Sequence, residues 1–306
     1  MTEMRISHLN LSAFSSYGLF RESLEATLEV YGTANKAIEQ LGAVAISEIL
    51  LNSSPDAYNN IKALSPSLNN NGVAVLHDTG IESYHDEIAQ LSSICISSIF
   101  GTPTKTDKRN SQVAWPIRYD PGTTVTRTFS QSLGEAAFHT DTQYYPTPEK
   151  YFGLFCIIAD LPGKGTNNLL SGESAVESFK RIHGSQALQE LLLPFPFRVP
   201  SVFTETVSDS DIEITWAPIY DPSTKQIRYR KDTILKALED DETEISIKQE
   251  KALLGFDSLL GQLNPISYHL EPGDAILVNN HSMLHARTNF DNPNRFLYRV
   301  RMDDDR

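Results

Sequence analysis

Only two of the 306 residues are cysteine, Cys95 and Cys156, and they lie far apart. Such a pair builds neither a disulfide framework nor a zinc knuckle. Cys156, inside the apolar run 151–159, reads as a small buried hydrophobe. No stretch approaches 18 consecutive apolar residues, so no membrane span is expected. The first dozen residues lack a basic start followed by an apolar core. No secretory signal is therefore evident, and a reducing cytoplasm is the expected compartment. Positive charge is scarce as well: 26 Lys and Arg stand against 39 Asp and Glu, a formal net charge of −13. Such a surface repels phosphate backbones and anionic lipid, so the expected partner is a small molecule rather than nucleic acid or a membrane. Gly163 and Gly165 lack the third glycine of a dinucleotide fingerprint. There is no phosphate-loop lysine motif and no Gly-x-Ser-x-Gly nucleophile elbow.

What the chain does have is an ordinary globular composition, 40% hydrophobic and 21% charged, and enough length for one sizeable core. A single domain over 1–306 is expected, with residues 1–110 largely helical and 111–306 forming a barrel with helical insertions. Apolar spacing predicts helix over 22–51, 81–100, 173–193 and 246–263. Short β-like pieces are expected at 72–76, 113–119, 151–159, 168–170, 197–206, 212–216, 227–230, 267–270, 275–278 and 296–302. Helices followed by many short strands suggest an α+β enzyme on an antiparallel β-barrel or sandwich.

The most informative segment is Phe138-His139-Thr140-Asp141. On a strand, His139 and Asp141 project from one face, so an imidazole and a carboxylate could grip one ion. Further on, Pro272-Gly273-Asp274 launches the apolar strand 275–278, which runs into Asn279-Asn280-His281 and then His285. A histidine at the rim of that strand could complete a site of two histidines and one carboxylate. Such a site leaves three positions open on octahedral iron(II), room for a chelating 2-oxo acid and O2. His281 and His285 are both candidates. In Arg295-Phe296-Leu297-Tyr298-Arg299-Val300-Arg301 the three arginines share one face. Turned inward, they require an anionic partner such as a carboxylate; the alternative is an edge strand with its charges in water.

On these residues, together with the glycine-rich stretch Leu161-Pro162-Gly163-Lys164-Gly165-Thr166, the chain resembles the taurine dioxygenase and clavaminate synthase-like group of iron(II)/2-oxoglutarate oxygenases. The resemblance covers roughly the last 170 residues. It implies a double-stranded β-helix (jelly-roll) core and the iron ligands His139, Asp141 and His285, with 2-oxoglutarate and O2 as co-substrates. Arg299, 14 residues after His285, is expected to hold the distal carboxylate of 2-oxoglutarate, with Arg295 as the second choice and Thr166 assisting. Asp141 stands where halogenating relatives carry a small residue, which favours hydroxylation. Trp115, Arg127, Gln131, Ser132, Glu135 and Tyr145 are candidate substrate contacts, with Arg118, Gln143 and Tyr144 nearby. The implied reaction is oxidation, most simply hydroxylation, of an aliphatic C–H on a small amino-acid-like molecule of specialised metabolism. Desaturation, epoxidation, cyclisation, or a sulfonate or betaine substrate are alternatives, as is a metal-binding barrel without oxygenase activity. Removing His139 or Asp141 is expected to silence the protein and spare the fold.

Overall fold

The computed structural model describes residues 6–14, 17–106, 112–119, 133–200, 213–239 and 243–304. The N-terminal part carries a short strand β1 (Ser7–Asn10), then helices α1 (Gly18–Tyr31), α2 (Ala34–Ser53), α3 (Pro55–Lys62) and α4 (Ser65–Asn71). Strand β2 (Val73–His77) and helix α5 (Asp86–Ser97) follow. Then come β3 (Thr102–Pro103), β4 (Trp115–Arg118), β5 (Ala136–His139), β6 (Tyr151–Ile158) and β7 (Asn167–Ser171). Helix α6 (Gly172–Leu191), the hairpin of β8 (Pro194–Arg198) and β9 (Ile214–Pro218), and the small pair β10 (Tyr220–Asp221) and β11 (Gln226–Ile227) form an insertion. Helices α7 (Lys231–Leu238) and α8 (Ile247–Leu260) lead to β12 (Ile266–Tyr268), β13 (Ala275–Asn279), β14 (Met283–Arg287) and β15 (Phe296–Asp303).

Two sheets carry the architecture. The major sheet runs β1-β2-β13-β6-β15-β3, with β4 also paired to β15; the minor sheet runs β12-β7-β14-β5. Strand alternation sorts side chains between three apolar cores. Val73 and Val75 of β2, Ile276 and Val278 of β13 and Leu297 of β15 meet Leu169 and Met283 of the minor sheet in the space between the sheets. Their neighbours Ala74, Leu76, Ala275, Leu277, Tyr298 and Val300 pack outward against α1, α2 and α5. On the far side, Leu170 and Leu284 of the minor sheet pack against Phe179 of α6 and Phe256 of α8. Strand β13 is buried along its whole length because both of its faces are covered. This is the jelly-roll, double-stranded β-helix arrangement in an α+β chain.

Several elements differ from the sequence expectation. The helix expected over 22–51 is two helices, because the chain turns at Gly32 (φ 81°). Helices α3 and α4, each with proline in its first turn, occupy a stretch where no helix was expected, and Asn69-Asn70-Asn71 closes α4 rather than forming a turn. Of the strand expected at 227–230, only Ile227 is paired. The strand expected at 197–206 is realised earlier as β8, and its part beyond residue 200 lies outside the described residues. No helix among the described residues is long and apolar enough to cross a membrane.

Candidate metal centre

His139 is the last residue of β5 and faces His285 in the middle of β14, its direct partner in the ladder. Their rings lie 4.1 Å apart, and the far side of His285 rests on Phe152, 4.7 Å away. Asp141 reaches the same point by a different route from the strand alternation expected. The chain leaves the sheet after His139 and turns through 141–144, with Thr142 at φ 51°. Asn280 fixes this turn. Its side-chain oxygen accepts from the Asp141 backbone N–H at 2.7 Å, and its amide donates to the carbonyls of Asp141 (3.0 Å) and Glu149 (2.8 Å). These groups are buried, so Asn280→Ala leaves several of them unsatisfied, at about 1–3 kcal/mol each. A drop in stability of at least about 2 kcal/mol is expected, together with weakened metal binding. Urea melts and cobalt titration check both; a variant matching the parent in both would remove the clamp.

The ligand atoms of His139, Asp141 and His285 lie within 4.8 Å of one another. Asp141 Oδ1 is 3.8 Å from Nε2 of both histidines. Adjacent ligands on one octahedral ion sit about 3 Å apart, so a small closing movement suffices. The His139 Nδ1 lies 2.8 Å from the Ala137 carbonyl, which only an N–H can satisfy, so Nε2 carries the lone pair toward Asp141. Burial, aided by the charge of Arg230, lowers His139 to about 4. Burial and the His139 ring hold His285 well below its ordinary value. Both imidazoles are thus neutral at pH 7, as coordination requires. Burial alone would raise the Asp141 carboxyl, but the guanidinium groups of Arg299 and Arg301 override it and hold it well below the usual carboxylate range. The residue types, protonation states and open side of this cluster fit a divalent ion such as iron(II).

His281, the other candidate, is elsewhere. Its Nε2 pairs with the Pro148 carbonyl at 2.9 Å, and its ring lines a separate surface cleft of about 960 Å³. That cleft is larger than the cavity at the histidines, yet none of the three converging side chains borders it. The histidine cavity is walled by His139, His285 and Phe152 together with Asn167, Arg295 and Arg299.

The arginine strand faces inward. β15 is paired on both sides, with β6 on one and β3 and β4 on the other, so the edge-strand alternative fails. Arg299 Nη1 sits 3.0 Å from Asp141 Oδ2 and Arg301 Nε also 3.0 Å from it. Arg295, just before the strand, is 4% exposed, and its Nη1 is buried without a partner. Its guanidinium stands 5.1 Å from the Phe290 ring, which Arg287 flanks at 4.7 Å. Gly165 (φ 59°) lets the turn pass close over it: a Cβ there would come within 3.0 Å of Arg295 Nε.

Thr166 is not among the side chains walling the cavity; the next residue, Asn167, is. The Thr166 backbone instead pairs with Thr288, its N–H donating to Thr288 Oγ1 and its carbonyl accepting from the Thr288 N–H. Trp115 lies opposite Arg299 in the β4–β15 ladder and is half-buried. Tyr145 packs edge-on against the buried Tyr144, 4.8 Å away. Gln143 is fully buried, its amide donating to Thr233 and its Oε1 without a partner. Glu135 is exposed, and Arg118 lies over Phe296, 5.8 Å from its centroid, at the rim. Arg127, Gln131 and Ser132 lie outside the described residues. Asn280, Asn167 and the Asp141 contact of Arg301 carried no sequence signal beyond their residue types.

The family described as "Taurine catabolism dioxygenase TauD, TfdA family" matches residues 37–301. The chain belongs to this TauD/TfdA dioxygenase family. No curated protein matches it in sequence. Among solved structures, an asparagine oxygenase with Fe(II), 3-hydroxyasparagine and succinate is 15% identical, with a TM-score of 0.73 over 98% of this chain and 93% of that one. The non-heme iron oxygenase OrfP, with Fe and alpha-ketoglutaric acid, is 12% identical, with a TM-score of 0.71 over 99% of this chain and 95% of that one. OrfP is also known with Fe, succinate and a dihydroxy-arginine, at 12% identity and a TM-score of 0.69 over 98% and 95% of the two chains. These structures share the fold across nearly the whole chain.

Proposed function

We propose that the protein is an iron(II)- and 2-oxoglutarate-dependent oxygenase that hydroxylates an aliphatic carbon of a small amino-acid-like molecule. The observation carrying this is the convergence of His139, Asp141 and His285 beside a cavity walled by the buried Arg295 and the partly buried Arg299. Family membership supports the oxygenase class, and the asparagine and arginine products held by the similar structures support the substrate class.

In this reading His139, Asp141 and His285 hold the ion, which when bound supplies O2 activation coupled to oxidative decarboxylation of the 2-oxo acid. The chain's own residues do the rest. Neutral imidazoles and one carboxylate would hold such an ion from one side and leave room beside it for the co-substrates. Arg295, buried and with an unfilled donor, offers the site for the distal carboxylate of 2-oxoglutarate, with Asn167 taking the place expected of Thr166. Arg299, reaching Asp141, stays close to the ion and to whatever is held beside it. Trp115, Tyr145 and Gln143 remain candidate substrate contacts, as do Arg127, Gln131, Ser132 and Glu135. Leu297, Phe152 and Ile117 line the space between the sheets and exclude water from the reacting groups.

The test is succinate release from 2-oxoglutarate by the iron-loaded protein against a panel of amino acids, amino-acid amides, sulfonates and betaines. Substrate-dependent succinate with a product heavier by one oxygen is expected for an amino-acid member of the panel. Loss of two hydrogens would mean desaturation or ring closure instead. Tight iron binding with no decarboxylation under any condition would leave a metal-binding barrel without this activity.

A further inference from the structure

The carboxylate of Asp141 is divided between two tasks. Oδ1 lies 3.8 Å from both histidine Nε2 atoms, on the side where an ion would sit. Oδ2 lies 3.0 Å from Arg301 Nε and 3.0 Å from Arg299 Nη1. Arg299 Nη1 is also 3.4 Å from Oδ1, so it straddles the group, and its Nε is buried without a partner. Arg301 contacts Oδ2 alone, and its side chain, like that of Asp141, is 4% exposed.

Arg301 is buried and Arg299 partly so, and the two are not equivalent. Arg301 meets the carboxylate at Oδ2 alone and is its fixed partner, whereas Arg299 spans both oxygens and keeps its Nε free of a protein partner.

From this division we infer that Arg301 is a positioning residue that holds Asp141 as a one-oxygen ligand. A carboxylate beside a divalent ion can bind through one oxygen or both. Bound through both, Asp141 would take a second coordination position and leave too few for a two-point chelator plus O2. The Arg301 Nε–H on Oδ2 blocks this. It does so from a β15 backbone paired on both sides and thus unable to follow a moving ligand. The inference rests on the metal-site reading proposed above.

The test uses cobalt(II) as the probe ion, on the full chain freed of metal. Wild type, Arg301→Met and Arg301→Lys are compared by calorimetric titration with cobalt, then with 2-oxoglutarate and with succinate on the cobalt-loaded protein. Arg301→Met is expected to bind cobalt as tightly as wild type or more tightly, with an altered cobalt absorption spectrum. Its 2-oxoglutarate affinity should fall at least about tenfold more than its affinity for succinate, which needs only one metal position. Arg301→Lys, which restores a cation near Oδ2, should recover part of the loss. Equal losses for the two dicarboxylates would mean that Arg301 acts only through charge, and unchanged affinities would mean that it does not act on the ligand; either overturns the inference. If Arg301→Met does not fold, Arg301→Lys decides alone: a wild-type spectrum and a 2-oxoglutarate affinity reduced no more than that for succinate overturn it. Failure of wild type to bind cobalt would overturn the metal-site reading instead.

Discussion

His139→Ala and Asp141→Ala should both abolish turnover, but only Asp141→Ala should also damage the fold. The difference lies in what each side chain leaves behind. His139 is a neutral ring that touches the His285 ring and donates to one carbonyl. Its loss leaves a small gap beside a cavity that already exists, a cost within about 2 kcal/mol. Asp141 is the anion on which Arg299 and Arg301 both converge. Deleting it strands the buried Arg301 and the partly buried Arg299, and breaking even one buried pair typically costs about 3–5 kcal/mol. The sequence expectation was that both variants spare the fold; the contacts of Asp141 lead us to expect this of the histidine variant alone. Chemical denaturation of the metal-free proteins, alongside succinate release, separates them. Equal stability of the two variants would show that the arginines do not depend on Asp141, and activity in either would move the metal site elsewhere.

The site was legible where chemistry is written in residue type and hidden where it is written in the backbone. Histidine and aspartate two apart announced themselves, although strand alternation is not what brings them together. The chain leaves β5 at His139, and Asp141 is delivered by a turn that Asn280 clamps. No spacing rule marks an asparagine as a clamp, because its partners are main-chain groups brought close only by the fold. His281 and His285 could not be separated by spacing alone. The register of β14 on β5 decides between them, seating His285 opposite His139, while His281 precedes the strand. The arginine alternation of β15 was equally ambiguous until its pairing was known, since an edge strand and an interior strand read alike. The helices α3 and α4 were obscured by prolines and asparagines that look like turns, although proline is well suited to a first helical turn. The long apolar runs of β6 and β13 were visible because both faces of each are buried, whereas β1 and β5, four residues each, are defined only by their partners.

Arg295→Ala should raise the apparent constant for 2-oxoglutarate by about 100-fold, some 2.7 kcal/mol, and change the saturated rate only a few-fold. A 2-oxo acid chelating the ion places its second carboxylate several bonds away, which favours a receiving residue set back from Asp141. Arg299 is pressed against Asp141. Arg295 stands four residues back along the chain, roughly 13 Å in an extended strand, on the same cavity wall. Its neighbourhood is prepared for an anion. The nearest carboxylate, Asp160, is already engaged by the backbone N–H groups of Asp291 (3.1 Å) and Asn292 (2.8 Å), and Arg295 Nη1 lacks a protein partner. A buried guanidinium with an unfilled donor is costly unless a ligand completes it. Arg299→Ala, by contrast, removes a charge beside the ion and should depress the saturated rate itself. Succinate release measured against 2-oxoglutarate concentration for both variants distinguishes the roles. A normal constant in Arg295→Ala with a raised constant in Arg299→Ala would return the distal carboxylate to Arg299.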